Sequence, residues 1–112
     1  MKTRIPQLVR DKMVPRPGFT ELNITVSPAI ATALLIAKVH SEAEEIARDV
    51  GNPEEYADVL ECLMALAKTN SVNWAEVMKA LNEKRERKGA LDTGNLWIPE
   101  AYLDDIRNHQ AA

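Results

Sequence analysis

The sequence predicts an all-α protein. Three helical runs, each with its own capping signals, follow one another between Ser27 and Gly89, and no confident strand pattern appears. A chain of 112 residues is most simply one domain. We expect an irregular N-terminal arm at 1–27, a helical core at 28–89 and a C-terminal tail at 90–112.

The first helix is predicted to begin at Pro28. Ser27 is a favourable N-cap, and proline is favoured at the first helical position. Gly51 is a typical C-terminal stop, so the helix is expected to run up to it. The arm before it is rich in proline, which favours only a single turn in "LVRDKM" and a short extended segment at "LNITV", residues 22–26.

The second helix restarts almost at once. Asn52 is its predicted cap, Pro53 its first residue, and Glu55 stands where a capping box places an acid. The helix is expected to continue to about Thr69. Because only two or three residues join them, the first two helices should be antiparallel neighbours.

A third helix, "WAEVMKALNEKRERK", follows the same pattern. Asn73 and Glu76 repeat the combination of cap and acid, and Gly89 closes the run. The remaining tail is predicted to be a loop followed by a short helix from Pro99.

Composition and charge exclude several classes of protein. The net charge is only −3, and the basic run "KRERK" is short and contains Glu86, so no nucleic-acid partner is expected. The longest apolar stretch, 29–37, is far below the roughly 20 residues of a membrane span, and the N-terminal sequence shows no signal peptide. Cys62 is the single cysteine, and we expect its side chain to pack in the core. We expect a soluble, cytoplasmic protein without a membrane partner.

The apolar halves of the first two helices indicate self-association. Residues 29–37 have Thr32 as their one polar interruption, and residues 59–67 have Glu61. A helix that is apolar around most of its circumference must be covered on most sides. We therefore expect a homodimer or homotetramer with a four-helix arrangement at its centre.

The most unusual stretch is "HSEAEEIARDVGNPEEYADVLE", residues 40–61, which holds eight carboxylates and one certain cation, Arg48. Acids at i,i+3 spacing share a helix face, and the hairpin brings the two helices together. Converging carboxylates raise one another's pKa unless a cation neutralises them. Oxygen ligands without histidine or cysteine suit Mg²⁺, with Mn²⁺ as a substitute. A solvated acidic face remains the alternative.

Several short motifs resemble one enzyme superfamily. "EAEE" (42–45) followed by "EYAD" (55–58) is similar to the ExxE…ExxD signature of the all-α, MazG-like nucleoside triphosphate pyrophosphohydrolases. Three blocks in order, "QLVRDKM" (7–13), "EEYADVLECLMALA" (54–67) and "EKRERKGAL" (83–91), resemble the phosphoribosyl-ATP pyrophosphohydrolase-like branch. The chain departs from that pattern at Gln7, at "KGAL" and at Ser41, where the family often has a glutamate.

The resemblance implies a set of site residues. The metal-binding and catalytic acids would be the four signature positions, Glu42, Glu45, Glu55 and Asp58. Glu61, one turn further along, is either an outer-shell acid or a partly buried salt-bridge residue. Triphosphate oxygens also need cations, for which the predicted residues are Arg10, Lys12, Lys84, Arg87 and Lys88. For the basic residues near the end of the third helix, stabilisation of the helix dipole is the structural alternative.

The function implied is Mg²⁺-dependent hydrolysis of a nucleoside triphosphate to the monophosphate and pyrophosphate, as in the removal of surplus or non-standard nucleotides. A second possibility is hydrolysis of phosphoribosyl-ATP. The rival from another class is a non-catalytic helical interaction module that keeps the fold, which Ser41 favours.

Overall fold

The computed structural model describes residues 6–22 and 25–111, and within these ranges the protein is all-helical, without a β-strand. This confirms the predicted fold class. Part of the predicted extended segment "LNITV", residues 23–24, lies outside the described residues, as do residues 1–5 and 112.

The described residues form four α-helices and one short 3₁₀ helix. They are α1 (Pro28–Arg48), α2 (Pro53–Thr69), α3 (Trp74–Lys88), the 3₁₀ turn Glu100–Tyr102 and α4 (Leu103–Ala111). The predicted bounds of α2 and α3 are confirmed, and the tail forms its short helix just after Pro99.

The capping residues act as the sequence predicts. Ser27 Oγ accepts a hydrogen bond from the backbone N–H of Ile30 at 3.3 Å. Asn52 Oδ1 accepts from the N–H of Glu54 at 3.0 Å, and Asn73 Oδ1 accepts from the N–H of Ala75 at 2.8 Å. Each bond satisfies a donor that the first turn of a helix leaves without an intrahelical partner.

The end of α1 differs from the prediction. The helix stops at Arg48, and its C-cap is Asp49, in a non-helical conformation with φ −151° and ψ 67°. The chain then reverses in a turn closed by a bond from Asn52 N to Asp49 O at 3.1 Å. The expectation that the helix runs to Gly51 was wrong because this reversal takes up the residues before Pro53. Gly89, by contrast, has φ +84° and donates to Arg85 O, as a glycine cap of α3 should.

Helices α1 and α2 pack against each other as an antiparallel pair, which we call the α1–α2 hairpin. Its most buried side chains are Leu35 of α1 and Cys62 of α2, at 6% and 4% exposure. At the end far from the connecting loop, Asn70 Nδ2 donates to Thr32 Oγ1 at 3.1 Å and to Leu66 O at 2.9 Å. The apolar halves therefore lie side by side, and Cys62 packs in the core as expected.

The N-terminal arm, described from residue 6 to residue 22, has no helix. A turn at Asp11–Lys12 is closed by a bond from Met13 N to Arg10 O at 3.1 Å, so the single turn predicted in "LVRDKM" is confirmed. A second turn contains Gly18, whose φ of +88° favours glycine.

The chain divides into two compact units, residues 1–78 and residues 79–112. The first contains the arm, the α1–α2 hairpin and the start of α3. The second contains the rest of α3, the 3₁₀ turn and α4. Among the helices of the described residues, none combines the length and the apolar character that crossing a membrane would require.

Candidate metal centre

Three carboxylates converge where α1 and α2 face each other. Glu42, Glu55 and Asp58 each offer an oxygen, and these three oxygens lie within 4.8 Å of one another. We call these residues the acid triad. Glu42 comes from α1, whereas Glu55 and Asp58 are three residues apart on α2 and so share a helix face. The predicted meeting of acids from both helices is thus present for three of the four signature residues.

The triad is partly withdrawn from water. All three residues are half-buried, and the side chain of Glu42 is 17% exposed while that of Asp58 is 39% exposed. Glu55, which the sequence marks as a capping-box acid, instead places a carboxylate oxygen in the triad, while Asn52 serves as the cap.

The crowding of negative charge affects the pKa of Glu55. Its pKa is raised above the ordinary glutamate value, first by burial and then by the neighbouring charges of Asp58, Glu45 and Glu42, with a smaller effect from Asp49. Both causes disfavour the ionised carboxylate. The triad therefore holds more negative charge than its surroundings neutralise.

Glu45 lies outside the triad. Its carboxylate accepts a hydrogen bond from Arg48 Nη1 at 2.6 Å, one turn further along α1. It is still close enough for its charge to raise the pKa of Glu55. To act as the predicted ligand, Glu45 would have to turn a carboxylate oxygen towards the triad, which it does not do here.

Two further cations lie against the triad. Arg10 Nη2 donates to Asp58 Oδ1 at 2.9 Å, and this hydrogen bond is the main reason why the pKa of Arg10 is raised. Lys38 Nζ lies 4.0 Å from Glu42 Oε1, at i,i+4 spacing on α1. Glu55 is the triad member with neither an ion pair nor a side-chain hydrogen bond among the contacts of the described residues.

The donor set fits a hard divalent cation. It consists of carboxylate oxygens from two helices, which suit Mg²⁺ or Mn²⁺ better than zinc. Two oxygens on opposite sides of one Mg²⁺ are about 4.2 Å apart, twice the usual Mg–O distance. The triad oxygens, which lie within 4.8 Å of one another, have a spacing close to this distance.

The other predicted site residues fall in two places. In the first unit, Arg10 contacts Asp58, Lys12 is exposed in the arm turn, and Glu61 is exposed on α2 with its charge close enough to raise the pKa of Arg10. In the second unit, Lys84, Arg87 and Lys88 are exposed near the C-terminal end of α3, where cations favour the helix dipole.

The sequence interpretation missed the contact between Lys38 and Glu42 and that between Arg48 and Glu45. Both lie at standard helical spacings, i,i+4 and i,i+3, and that spacing was the available signal. Arg10 was predicted to bind phosphate, not Asp58, and no local pattern connects two residues that are 48 positions apart.

No protein-family model, curated protein or solved structure matches this chain. The resemblance to the all-α nucleoside triphosphate pyrophosphohydrolases therefore depends on the motifs alone and stays a prediction.

Proposed function

We propose that this protein is a divalent-cation-dependent nucleoside triphosphate pyrophosphohydrolase that releases the monophosphate and pyrophosphate. The observation that carries the proposal is the convergence of Glu42, Glu55 and Asp58 within 4.8 Å, from two antiparallel helices. The raised pKa of Glu55 supports it, because a site that lacks positive charge favours a cation. The order and content of the motifs supply the substrate class by resemblance only.

We assign each residue of the site a role. Glu42, Glu55 and Asp58 would hold the cation, which when bound lowers the pKa of a coordinated water and neutralises phosphate charge. Glu45, outside the triad but close to it, is the candidate acceptor for the proton of the attacking water once it leaves Arg48. Arg10 and Lys12, the cations of the arm, would contact phosphate oxygens. The phosphate-binding role of Lys84, Arg87 and Lys88 stays a prediction from the resemblance.

Self-association belongs to the same proposal. Leu60, Leu63 and Met64, which share a face of α2, are 47%, 39% and 41% exposed in the single chain. Ile36 of α1 is 47% exposed. Apolar side chains grouped on helices in this way favour a second copy of the chain as cover. Sedimentation velocity at micromolar concentration should show a dimer or tetramer, and a stable monomer would contradict this part of the proposal.

A non-catalytic helical interaction module is the second candidate, and one observation favours it. Three of the four signature acids already have a cation within the chain: Lys38 for Glu42, Arg48 for Glu45 and Arg10 for Asp58. In such a module these pairs would be permanent, and Mg²⁺ would change neither stability nor any activity.

The deciding experiment is pyrophosphate release from a panel of standard, oxidised and methylated nucleotides, with phosphoribosyl-ATP included, in the presence and absence of Mg²⁺. Asp58→Asn removes a triad charge and should abolish Mg²⁺-dependent release. Glu54→Gln removes the same charge from an exposed neighbour and should retain it. Absence of pyrophosphate release across the panel, together with absence of Mg²⁺ binding, would favour the interaction module.

A further inference from the structure

The contact between Arg10 and Asp58 joins the N-terminal arm to the candidate metal centre. The guanidinium donates to Asp58 Oδ1 at 2.9 Å across 48 positions of sequence. Both side chains remain partly open to solvent, at 53% and 39% exposure. An ion pair with that much exposure is weak and reversible.

The same carboxylate belongs to the acid triad. Arg10 places positive charge beside one oxygen of Asp58, a carboxylate that a divalent cation would use. If Arg10 stayed in place, the guanidinium and the cation would be like charges bound to the same carboxylate, and they would repel each other. Binding of the arginine to Asp58 therefore weakens binding of the cation to the same residue, and the reverse also holds.

The arm is otherwise held loosely. A groove of about 520 Å³ lies between arm and hairpin, lined by Leu8, Val9 and Met13 on one side and by residues such as Leu35 and Ala65 on the other. Val9 is 55% exposed and Met13 is 47% exposed, so the apolar attachment is incomplete. The Arg10–Asp58 ion pair is the one salt bridge between the arm and the hairpin among the described residues.

We propose that Arg10 is a displaceable internal counterion, which neutralises Asp58 in the metal-free protein and leaves it when a divalent cation binds. Cation binding and docking of the arm are then antagonistic, and by reciprocity each weakens the other by the same factor. This inference rests on the cation site of the proposed function. It also explains how Arg10 would become free to bind phosphate oxygens, since its Nη2 is bonded to Asp58 until the cation arrives.

The first test measures cation affinity without substrate. Mn²⁺ binding, followed by the loss of the free-ion electron paramagnetic resonance signal, is compared in the wild type, Arg10→Gln and Arg16→Gln. Arg16 lines the same groove, and its replacement changes the net charge equally without removing a contact to the triad. Arg10→Gln should bind Mn²⁺ about 2- to 10-fold more tightly than the wild type, and Arg16→Gln should change little.

The second test follows the arm itself. Lys12 lies in the exposed arm turn, so trypsin cleavage after Lys12 reports how firmly the arm is docked. In the wild type and in Arg16→Gln, Mg²⁺ should accelerate this cleavage. In Arg10→Gln the cleavage should be fast already and should not respond to Mg²⁺, which also shows that the ion does not act on trypsin.

The outcomes separate this inference from the proposal on which it rests. Equal affinity gains in Arg10→Gln and Arg16→Gln would show only long-range repulsion and would overturn the displacement. Mn²⁺ binding by the wild type with unchanged affinity in Arg10→Gln would also overturn it, while the cation site stands. If none of the three proteins binds Mn²⁺, the cation site and the displacement both fall.

Discussion

The substitution Glu55→Gln should raise the melting temperature of the metal-free protein. With Mg²⁺ present, the variant should instead melt at a lower temperature than the wild type. In the metal-free protein the pKa of Glu55 is raised by burial and by the charges of Asp58, Glu45 and Glu42. The folded state therefore binds more protons than the unfolded state between the ordinary glutamate pKa and the raised one. Stability falls as the pH rises through that window, and at neutral pH the ionised Glu55 is a net cost. Glutamine removes this cost, so the metal-free variant should melt at a higher temperature than the wild type.

With Mg²⁺ the order should invert, because the wild type gains the free energy of cation binding. For a dissociation constant of about 0.1–1 mM, on the scale of weak sites for hard cations, 10 mM Mg²⁺ stabilises the folded protein by about 1.4–2.7 kcal/mol. For a chain of 112 residues this corresponds to a rise in melting temperature of about 6–12 °C. In the variant a neutral amide replaces one of the three converging carboxylates, so it should gain much less.

The assay is thermal unfolding followed by circular dichroism at several pH values, each with EDTA or with 10 mM Mg²⁺. Glu54→Gln is the matched control. It removes the same charge from the adjacent residue in the first turn of α2, but Glu54 is exposed and is not part of the triad. Its response to Mg²⁺ should equal that of the wild type.

Two results would refute this reasoning. A Mg²⁺-dependent rise in Glu55→Gln as large as in the wild type would show that Glu55 does not hold the ion. A metal-free melting temperature that is lower in Glu55→Gln than in Glu54→Gln at neutral pH would show that the Glu55 charge stabilises the fold.

Three further outcomes are expected. Asp58→Asn should weaken Mg²⁺ binding, measured by calorimetry, at least about tenfold. Glu45→Gln should weaken it less, because Glu45 pairs with Arg48 outside the triad. Equal losses of affinity in the two variants would place both acids on the ion. Leu35→Ala should lower the free energy of unfolding in urea by about 2–5 kcal/mol, since this side chain is 6% exposed; a loss below about 1 kcal/mol would mean that the hairpin core is not tightly packed. Gly89→Ala should destabilise by about 1–2 kcal/mol because its φ is +84°. Gly51→Ala should be neutral or slightly stabilising, since its φ is not positive and an added Cβ meets no atom within 4 Å; equal effects at the two glycines would contradict this account of both turns.

Local chemistry made the helices predictable. Ser27, Asn52 and Asn73 cap their helices through bonds to residues two or three positions away, and Gly89 ends α3 through its own backbone conformation. Such signals act within one turn of chain, so the sequence contains them in full. The end of α1 was less predictable, because it depends on how the chain reverses before α2 and not on Gly51.

The acidic hairpin was predictable in outline for the same reason. Spacing along each helix decides that Glu55 and Asp58 share a face, and a short loop decides that α1 returns as α2. The sequence by itself therefore determined the fold class, the helices and the meeting of acids from two helices.

Only the tertiary structure decided which charges meet. The side chains of Glu42, Glu55 and Asp58 converge, while that of Glu45 turns to Arg48, and Arg10 crosses 48 positions of chain to reach Asp58. These choices depend on the relative rotation of two packed helices and on the path of an irregular arm. The rotation of the helices is set by the burial of side chains such as Leu35 and Cys62, and the arm contact joins residues 48 positions apart; both are non-local effects that no short pattern in the sequence encodes.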